Sequence, residues 1–448
     1  MSDSLLSSTQ TPNDQASLTE WLDYMQQIHV SAIDMGLSRV LPVAEALGVV
    51  QSAKDDAYVF TVAGTNGKGS TTAVIAQMCQ AAGYKTALYQ SPHLSVFNER
   101  VRINGEMVSD QTLIEAFNKV EAARLQCDLT LSFFEMTTLA ALLIFAEADC
   151  DVWVLEVGLG GRLDVVNIID PDMAVITNIG IDHVDWLGDN VEAIGAEKAG
   201  ILREGITLVY GSKDMPNSVL QAIDTHQATC YQVGQNFDYR DIDSQTWQYS
   251  NASVTMQLPR PALSLMNTAN ALSAVLASSL NVDMQAIEQA LQTVKLAGRF
   301  DYREAKERHW LFDVAHNEQG VEFLLKQLLP FWQQHLVNQT RDSQAPATIK
   351  MLFSMLGDKD IDKVVQRLTE AGLPISEWFI AEIDYPRAAS TEQLQGVLVS
   401  YIDETQIHEF ERLANATQAV INASQPQDLI VVCGSFHTIG EALTALDI

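Results

Sequence analysis

A strand-like run, a glycine-rich turn and a helix-prone run follow one another over residues 58–83, and this succession constrains the fold more than any other feature of the chain. Residues 58–62 are apolar, β-branched and aromatic, as in a buried strand, and residues 71–83 are alanine-rich. Between them stand Gly64, Thr65, Asn66, Gly67, Lys68, Gly69 and Ser70. The glycines permit positive φ and close backbone approach, so several N–H groups can converge at the start of a helix. Such a concavity suits phosphate. Lys68 adds a cation for the outer phosphates, and the Ser70 hydroxyl can face a phosphate or its magnesium ion. The spacing differs from G-x-x-x-x-G-K-[ST], because only two residues separate Gly64 from Gly67 and Gly69 stands between Lys68 and Ser70. This is a variant loop, for which an ordinary surface turn is the alternative reading of the string taken alone.

A chain of 448 residues predicts two or three domains. Its 47% hydrophobic and 19% charged residues are globular in composition. With 27 basic against 57 acidic residues and a formal charge of -30, a nucleic-acid or anionic-membrane partner is not expected, since either needs a basic face. Anionic ligands would then require the basic residues to gather at the site, and the remaining acidity reads as a solubility or habitat trait. Cysteines at 79, 127, 150, 230 and 433 show no paired spacing and read as reduced thiols of a cytoplasmic protein. No secretory pattern occurs, and no apolar run approaches the roughly 18 residues of a membrane span.

Residues 1–16 are polar and read as a disordered tail. Helices are predicted over 18–28 and 40–47, with Asp34 able to cap the second. A second strand, 85–89, runs into Gln90, Ser91, Pro92 and His93, and 98–104 reads as extended with Arg100 and Arg102 on one face. Helices follow over 110–125 and 136–148, the latter entered through Ser132, Phe133, Phe134 and Glu135, whose aromatics are either core residues or stack on a planar ligand. Residues 151–157 form an apolar strand with Glu156 near its end, and an acid among Val and Leu is costly unless it is paired or binds a cation. The next strand, 172–178, leads to Asp182 and His183.

Ser91, Glu156 and His183 thus fall near strand ends in a chain that alternates strand and helix. Right-handed crossovers put such ends on one edge of a parallel sheet, beside the phosphate loop. Hydroxyl, carboxylate and imidazole there could hold magnesium, with waters completing the octahedron. Lys198, in a helical stretch over 192–201, reads on residues alone as a solvated surface lysine. Strands at 207–210 and 229–233, hairpins over 237–258 and helices over 267–279 and 283–294 follow. Beyond residue 301 the alternation restarts, with strands at 309–314, 349–353, 378–383 and 429–433 and a polar loop over 334–347. The expected fold class is α/β: a P-loop ATPase domain with a mostly parallel sheet over 17–298, then a smaller Rossmann-like α/β domain over 299–448.

With G-T-N-G-K-G-S, S-P-H, L-E-V-G-L-G-G-R-L-D, D-H, E-K-A-G, L-A-G-R-F, D-V-A-H-N and C-G-S-F-H-T in this order, the chain resembles the folylpolyglutamate synthases. Among these it is most similar to the bacterial bifunctional dihydrofolate synthases, within the Mur ligase superfamily. Too few residues precede Gly64 for the UDP-binding domain of the peptidoglycan-building members. The resemblance implies an ATP-dependent ligase that phosphorylates a substrate carboxylate, giving an acyl phosphate that the amine of L-glutamate attacks. The implied substrates are 7,8-dihydropteroate and reduced folates, with folate extension alone as the alternative. It implies a cytoplasmic monomer using ATP and two magnesium sites.

Residue by residue, the resemblance assigns the 64–70 loop with Asn267, Arg299 and Asp313 to ATP, and Ser91, Glu156 and His183 to magnesium. Lys198 matches a lysine that is carbamylated and supports a second magnesium. Lys68, Lys198 and His316 are the expected catalytic residues, with Ser435 in a motif associated with glutamate. Asp34, Met35, Gly36, Ser132, Phe133, Phe134, Glu135, Leu163, Asp164 and Val165 correspond to pteroate-binding segments. Glu318 and Val166 depart from the family pattern, which has proline and threonine there, but neither removes a group the reaction needs.

Overall fold

The computed structural model describes residues 11–13, 15–29, 36–333 and 346–448. Asp34 and Met35, most of the expected tail and nearly all of the expected 334–347 loop lie outside these residues. The chain divides into two units, one comprising Met1–Pro92, Asn98–Pro261 and Leu265–Val294, the other His93–Phe97, Ala262–Ser264 and Lys295–Ile448.

The first unit is built on an eight-stranded sheet in the order β4-β3-β2-β5-β1-β6-β7-β8. Its strands are β1 (Tyr58–Ala63), β2 (Thr86–Tyr89), β3 (Val101–Ile103), β4 (Glu106–Met107), β5 (Val152–Glu156), β6 (Met173–Ile176), β7 (Thr207–Tyr210) and β8 (Thr229–Gln232). All pairings from β2 to β8 are parallel, and only the β3 and β4 edge is antiparallel. β1, β2, β5 and β6 are buried almost throughout, as strands covered on both faces must be. The register sets Val62 beside Glu156 and Ala63 beside Ile176, so the carboxyl ends of β5, β1 and β6 lie side by side. A second, three-stranded antiparallel sheet joins β9 (Phe237–Asp241), β10 (Thr246–Asn251) and β11 (Thr255–Pro259).

The helices of this unit are α1 (Leu18–Gln27), α2 (Val40–Ala46), α3 (Val49–Asp56), α4 (Lys68–Ala81), α5 (Asp110–Gln126), α6 (Phe133–Glu147), α7 (Val184–Leu187), α8 (Val191–Ala199), α9 (Asn217–Thr225), α10 (Leu265–Ala277) and α11 (Met284–Thr293). α4 is almost entirely buried and packs on α10 and α11. It begins at Lys68 rather than at residue 71, because the loop closes through Gly67 in the left-handed region, at φ 84°. Arg39 occupies the N-cap position of α2 and makes no side-chain cap bond, while the expected cap Asp34 lies outside the described residues. Arg100 also departs from expectation, since it ends a 3₁₀ turn, Phe97–Arg100, and does not share a strand face with Arg102. Both α3 and α9 are short, and neither stands out in the sequence.

In the second unit a six-stranded sheet runs β12-β13-β17-β14-β15-β16. Its strands are β12 (Asp301–Ala305), β13 (Arg308–Asp313), β14 (Ile349–Phe353), β15 (Ile375–Ala381), β16 (Ile407–Phe410) and β17 (Leu429–Cys433), and all but β12 pair in parallel. Alternate residues feed two cores: Leu311, Phe353 and Val431 belong to one, Trp310, Leu352 and Val432 to the other. The flanking helices are α12 (Glu318–Phe331), α13 (Ile361–Glu370), α14 (Thr391–Leu398), α15 (Leu413–Ala423) and α16 (Phe436–Leu446). β12 and β16 escape sequence reading because they are edge strands, half-exposed and partly polar.

Candidate active site

The phosphate loop leaves β1 through Gly64, where an added Cβ would meet Thr177 Oγ1 at 1.8 Å. Its shape is held from the exit of β6. Thr65 N donates to Asn178 O at 3.0 Å and Asn66 N to Asn178 Oδ1 at 3.1 Å. Thr177 Oγ1 and Asn178 Nδ2 donate to Asn66 O at 2.6 and 2.9 Å. α4 itself starts without a side-chain cap, and the amino end of a helix favours an anion. Lys68 Nζ folds back onto Gly64 O at 3.0 Å and Thr65 O at 3.3 Å. Gln90 Nε2, from the exit of β2, donates to Gly69 O and to Thr72 Oγ1, at 2.8 and 2.9 Å. Asn267 on α10 is buried against Gly67, with an Oδ1 that has no hydrogen-bond partner.

Beside the loop opens a cleft lined by Gly64, Thr65, Lys68, residues 157–160, Asp182, His183, Leu187 and Lys198. Lys198 is only 4% exposed, which overturns its reading as a surface lysine. Burial, reinforced by the charge of Lys68 and opposed by Asp182, pulls its ammonium from 10.5 down to about 7. An amine so poised is partly neutral near neutral pH and can attack carbon dioxide. Attack by the neutral amine would form the N–C bond and release one proton from the nitrogen, leaving a carbamate anion.

Glu156 is 4% exposed at the end of β5. It does not stand alone, because it contributes to the electrostatic environment of Arg100, whose guanidinium also lies 5.9 Å from the centre of the Phe133 ring. His183 occupies the left-handed region at φ 53° and opens α7, its Nε2 4.0 Å from Asp182 Oδ2. Among the described residues no three His, Cys, Asp or Glu side chains converge as a metal cluster. The Ser91, Glu156 and His183 set is of a different kind, with one hydroxyl, one carboxylate and one imidazole. Its oxygen donors suit magnesium, which keeps several waters and takes few protein ligands. A carbamylated Lys198 would add a further carboxylate.

The described pteroate-segment residues include several that also organise the fold. Ser132 and Glu135 form a capping box on α6, with Ser132 N donating to Glu135 Oε2 at 2.6 Å, while Glu135 Oε1 pairs with Arg39 at 2.6 Å. Phe134 presses on Gly158, where a Cβ would meet its ring at 2.6 Å. Asp164 accepts from Gly158 N and Leu159 N at 2.9 Å and from Val166 N at 3.0 Å, and burial raises its carboxyl to about 6. Leu163 is partly buried, Val165 is buried, and Gly36 sits at φ 152°.

In the second unit Asp313 accepts from Phe300 N and Ala315 N, both at 2.9 Å, and burial pushes its carboxyl up against the opposing charge of Arg299. Arg299 lies 4.7 Å from the Phe436 ring centre. His316 Nδ1 is 2.8 Å from Val314 O, which fixes the ring. Ser435 caps α16 through Thr438 N at 3.0 Å, and Glu318, at the family's proline position, pairs with Arg367.

Residues 62–278 match the Mur ligase middle domain and residues 298–436 the Mur ligase glutamate ligase domain. The chain is 37% identical over 438 residues to the dihydrofolate synthase/folylpolyglutamate synthase of Escherichia coli K12, covering 98% of this chain and 97% of that protein. It belongs to the dihydrofolate synthase/folylpolyglutamate synthase family of Mur ligases. The E. coli FolC structure with DHPP and ADP superposes with TM-score 0.88 at 36% identity, covering 98% of this chain and 99% of that one. The Yersinia pestis bifunctional folylpolyglutamate synthase/dihydrofolate synthase, complexed with AMPPNP and a manganese ion, superposes with TM-score 0.87 at 37% identity over 98% of this chain and 100% of that one.

For this folylpolyglutamate synthase family member, sequence reading missed the residues that shape the site from outside its motifs. Thr177 and Asn178 look like the tail of an apolar strand, yet they hold the phosphate loop. Gln90 directly precedes S-P-H, and Asp182 is half of the D-H pair; a polar residue shortly after a buried strand is the signal that marks them.

Proposed function

We propose that this chain uses ATP to activate the carboxylate of 7,8-dihydropteroate, joins it to L-glutamate, and then extends reduced folates with further glutamates. The carrying observation is the cleft in which the phosphate loop, Lys68 and the buried Lys198 face one another. Lys68 supplies a cation for a polyphosphate, and Lys198, once carbamylated, an anion for the magnesium that accompanies it. A carboxylate oxygen of the substrate attacks the γ-phosphorus and ADP leaves. The glutamate nitrogen then attacks the acyl carbon, phosphate departs, and the amine loses a proton. Lys68 and the α4 amides counter charge that develops on the phosphoryl oxygens.

In this reading Ser91, Glu156, His183 and carbamylated Lys198 hold magnesium, which when bound neutralises phosphate charge. Asn267, Arg299 and Asp313 are assigned to ATP, His316 and Ser435 to the glutamate reaction, and the pteroate segments to the acceptor. Residues 17–298 serve as the ATP-binding domain and 299–448 as the glutamate-ligase domain of a cytoplasmic monomer. No described helix is long and apolar enough to cross a membrane.

Ligation of labelled L-glutamate, with 7,8-dihydropteroate and tetrahydrofolate offered in separate reactions, tests the proposal. Product in both is expected. Product with tetrahydrofolate alone reduces the function to folate extension, and product in neither overturns it.

A further inference from the structure

Two backbones meet where the loop after β5 crosses the last turn of α8. Arg162 N donates to Glu197 O at 2.8 Å, and Arg162 Nε and Nη2 donate to Glu197 Oε1 at 3.1 and 2.7 Å. Glycine stands at both points of closest approach. A Cβ at Gly161 would lie 2.9 Å from Glu197 O and 3.2 Å from Lys198 Cα, and one at Gly200 would lie 2.7 Å from Arg162 Cα. Asn167, 5% exposed, joins the two segments: its Nδ2 donates to Arg162 O and to Gly200 O, each at 3.0 Å. Arg203 Nη2 in turn donates to Asn167 Oδ1 at 3.1 Å. Both amide hydrogens and the amide oxygen are therefore engaged.

We infer that Asn167, assisted by Arg162, is a positioning residue of the ligase site, pinning the end of α8 to the loop after β5 and so setting where the Lys198 side chain stands in the cleft. The inference rests on the reading of Lys198 as the carbamylated, metal-supporting lysine. Lys198 lies between the fastened residues Glu197 and Gly200, so its Cα has little freedom. The same loop is folded by Asp164, which holds the amides of Gly158 and Leu159 in the cleft wall. Lys198 and that wall are thereby one piece. A displacement of about 1 Å at such a position can cost on the order of a hundredfold in rate.

The test is Asn167→Ala, with Arg162→Met and Arg162→Lys alongside, each assayed for kcat, KM for ATP and the carbamate signal in ¹³C NMR after addition of ¹³C-bicarbonate. Asn167→Ala is expected to lower kcat by about ten- to a hundredfold, with KM for ATP changed by less than about twofold and a weaker carbamate signal. Arg162→Met, at a half-exposed side chain, should fall in the same direction by less, and Arg162→Lys should recover part of that loss. A purely structural role would lower Tm without moving kcat in the folded enzyme. Parent-like kcat in folded Asn167→Ala overturns the inference; if that variant does not fold, parent-like kcat in Arg162→Met does so. Absence of the carbamate signal from the parent enzyme would instead strike the reading of Lys198, leaving the clamp to be judged on kcat.

Discussion

A Cβ added to Gly67 would lie 2.2 Å from Asn267 Oδ1, so the phosphate loop and α10 approach this closely only because residue 67 is glycine. At φ 84° the position also disfavours any L side chain. Gly67→Ala combines both costs at the start of α4. Its affinity for ADP is expected to fall by about tenfold or more, from backbone strain alone of about 1–3 kcal/mol. Isothermal titration with ADP measures it, with circular dichroism checking the fold. Parent-like affinity would mean that the loop relaxes without cost.

Lys68 rests on two loop carbonyls, Gly64 O and Thr65 O, and lines the cleft with Lys198. Lys68→Met keeps most of the stem and removes the charge. Because that charge is assigned to developing negative charge on phosphate, kcat is expected to drop about a hundredfold or more. Single-turnover ligation checks this, and near-parental turnover would remove the loop lysine from the mechanism.

Lys198 gives a pH signature. Its folded value of about 7 lies below the ordinary 10.5, so between these limits the unfolded chain binds more protons and stability rises with pH. The cost of the buried ammonium is full below about 7 and fades as pH approaches 10.5. In bicarbonate-free buffer, Lys198→Met should raise Tm near neutral pH and raise it much less near pH 10. Thermal melts across that range test it; an equal shift at both ends would contradict the buried ammonium. The same variant should be inactive, and bicarbonate should not restore it.

Glu135 completes the capping box of α6, pairs with Arg39, and belongs to a segment assigned to pteroate. Glu135→Ala leaves Arg39 without this partner and is expected to cost about 3 kcal/mol in denaturant unfolding. Ser132→Ala, which removes only the cap, should cost about 1 kcal/mol. If either residue also touches substrate, KM for 7,8-dihydropteroate rises while KM for L-glutamate stays put. Unchanged stability in Glu135→Ala would show that the capping box and ion pair carry little.

The local chemistry of this protein was legible in the sequence where one short string dictates it. The buried run of β1, the glycines at 64 and 67 and the alanine-rich α4 specify strand, turn and helix through backbone sterics and apolar burial, and the repeated alternation specifies parallel α/β sheets. The motif order was enough to indicate the family. Tertiary structure alone decided what each polar group faces. Lys198 sits in a helix whose sequence gives no sign of burial, yet packing on Gly161 and the cleft removes its water and lowers its pKa. Glu156 reads as a solitary buried acid until the fold brings the charge of Arg100 near it. Thr177, Asn178 and Asn167 acquire roles only through partners distant in the chain. Hydration and charge are properties of neighbours in space, and neighbours so distant in sequence leave no local pattern to read.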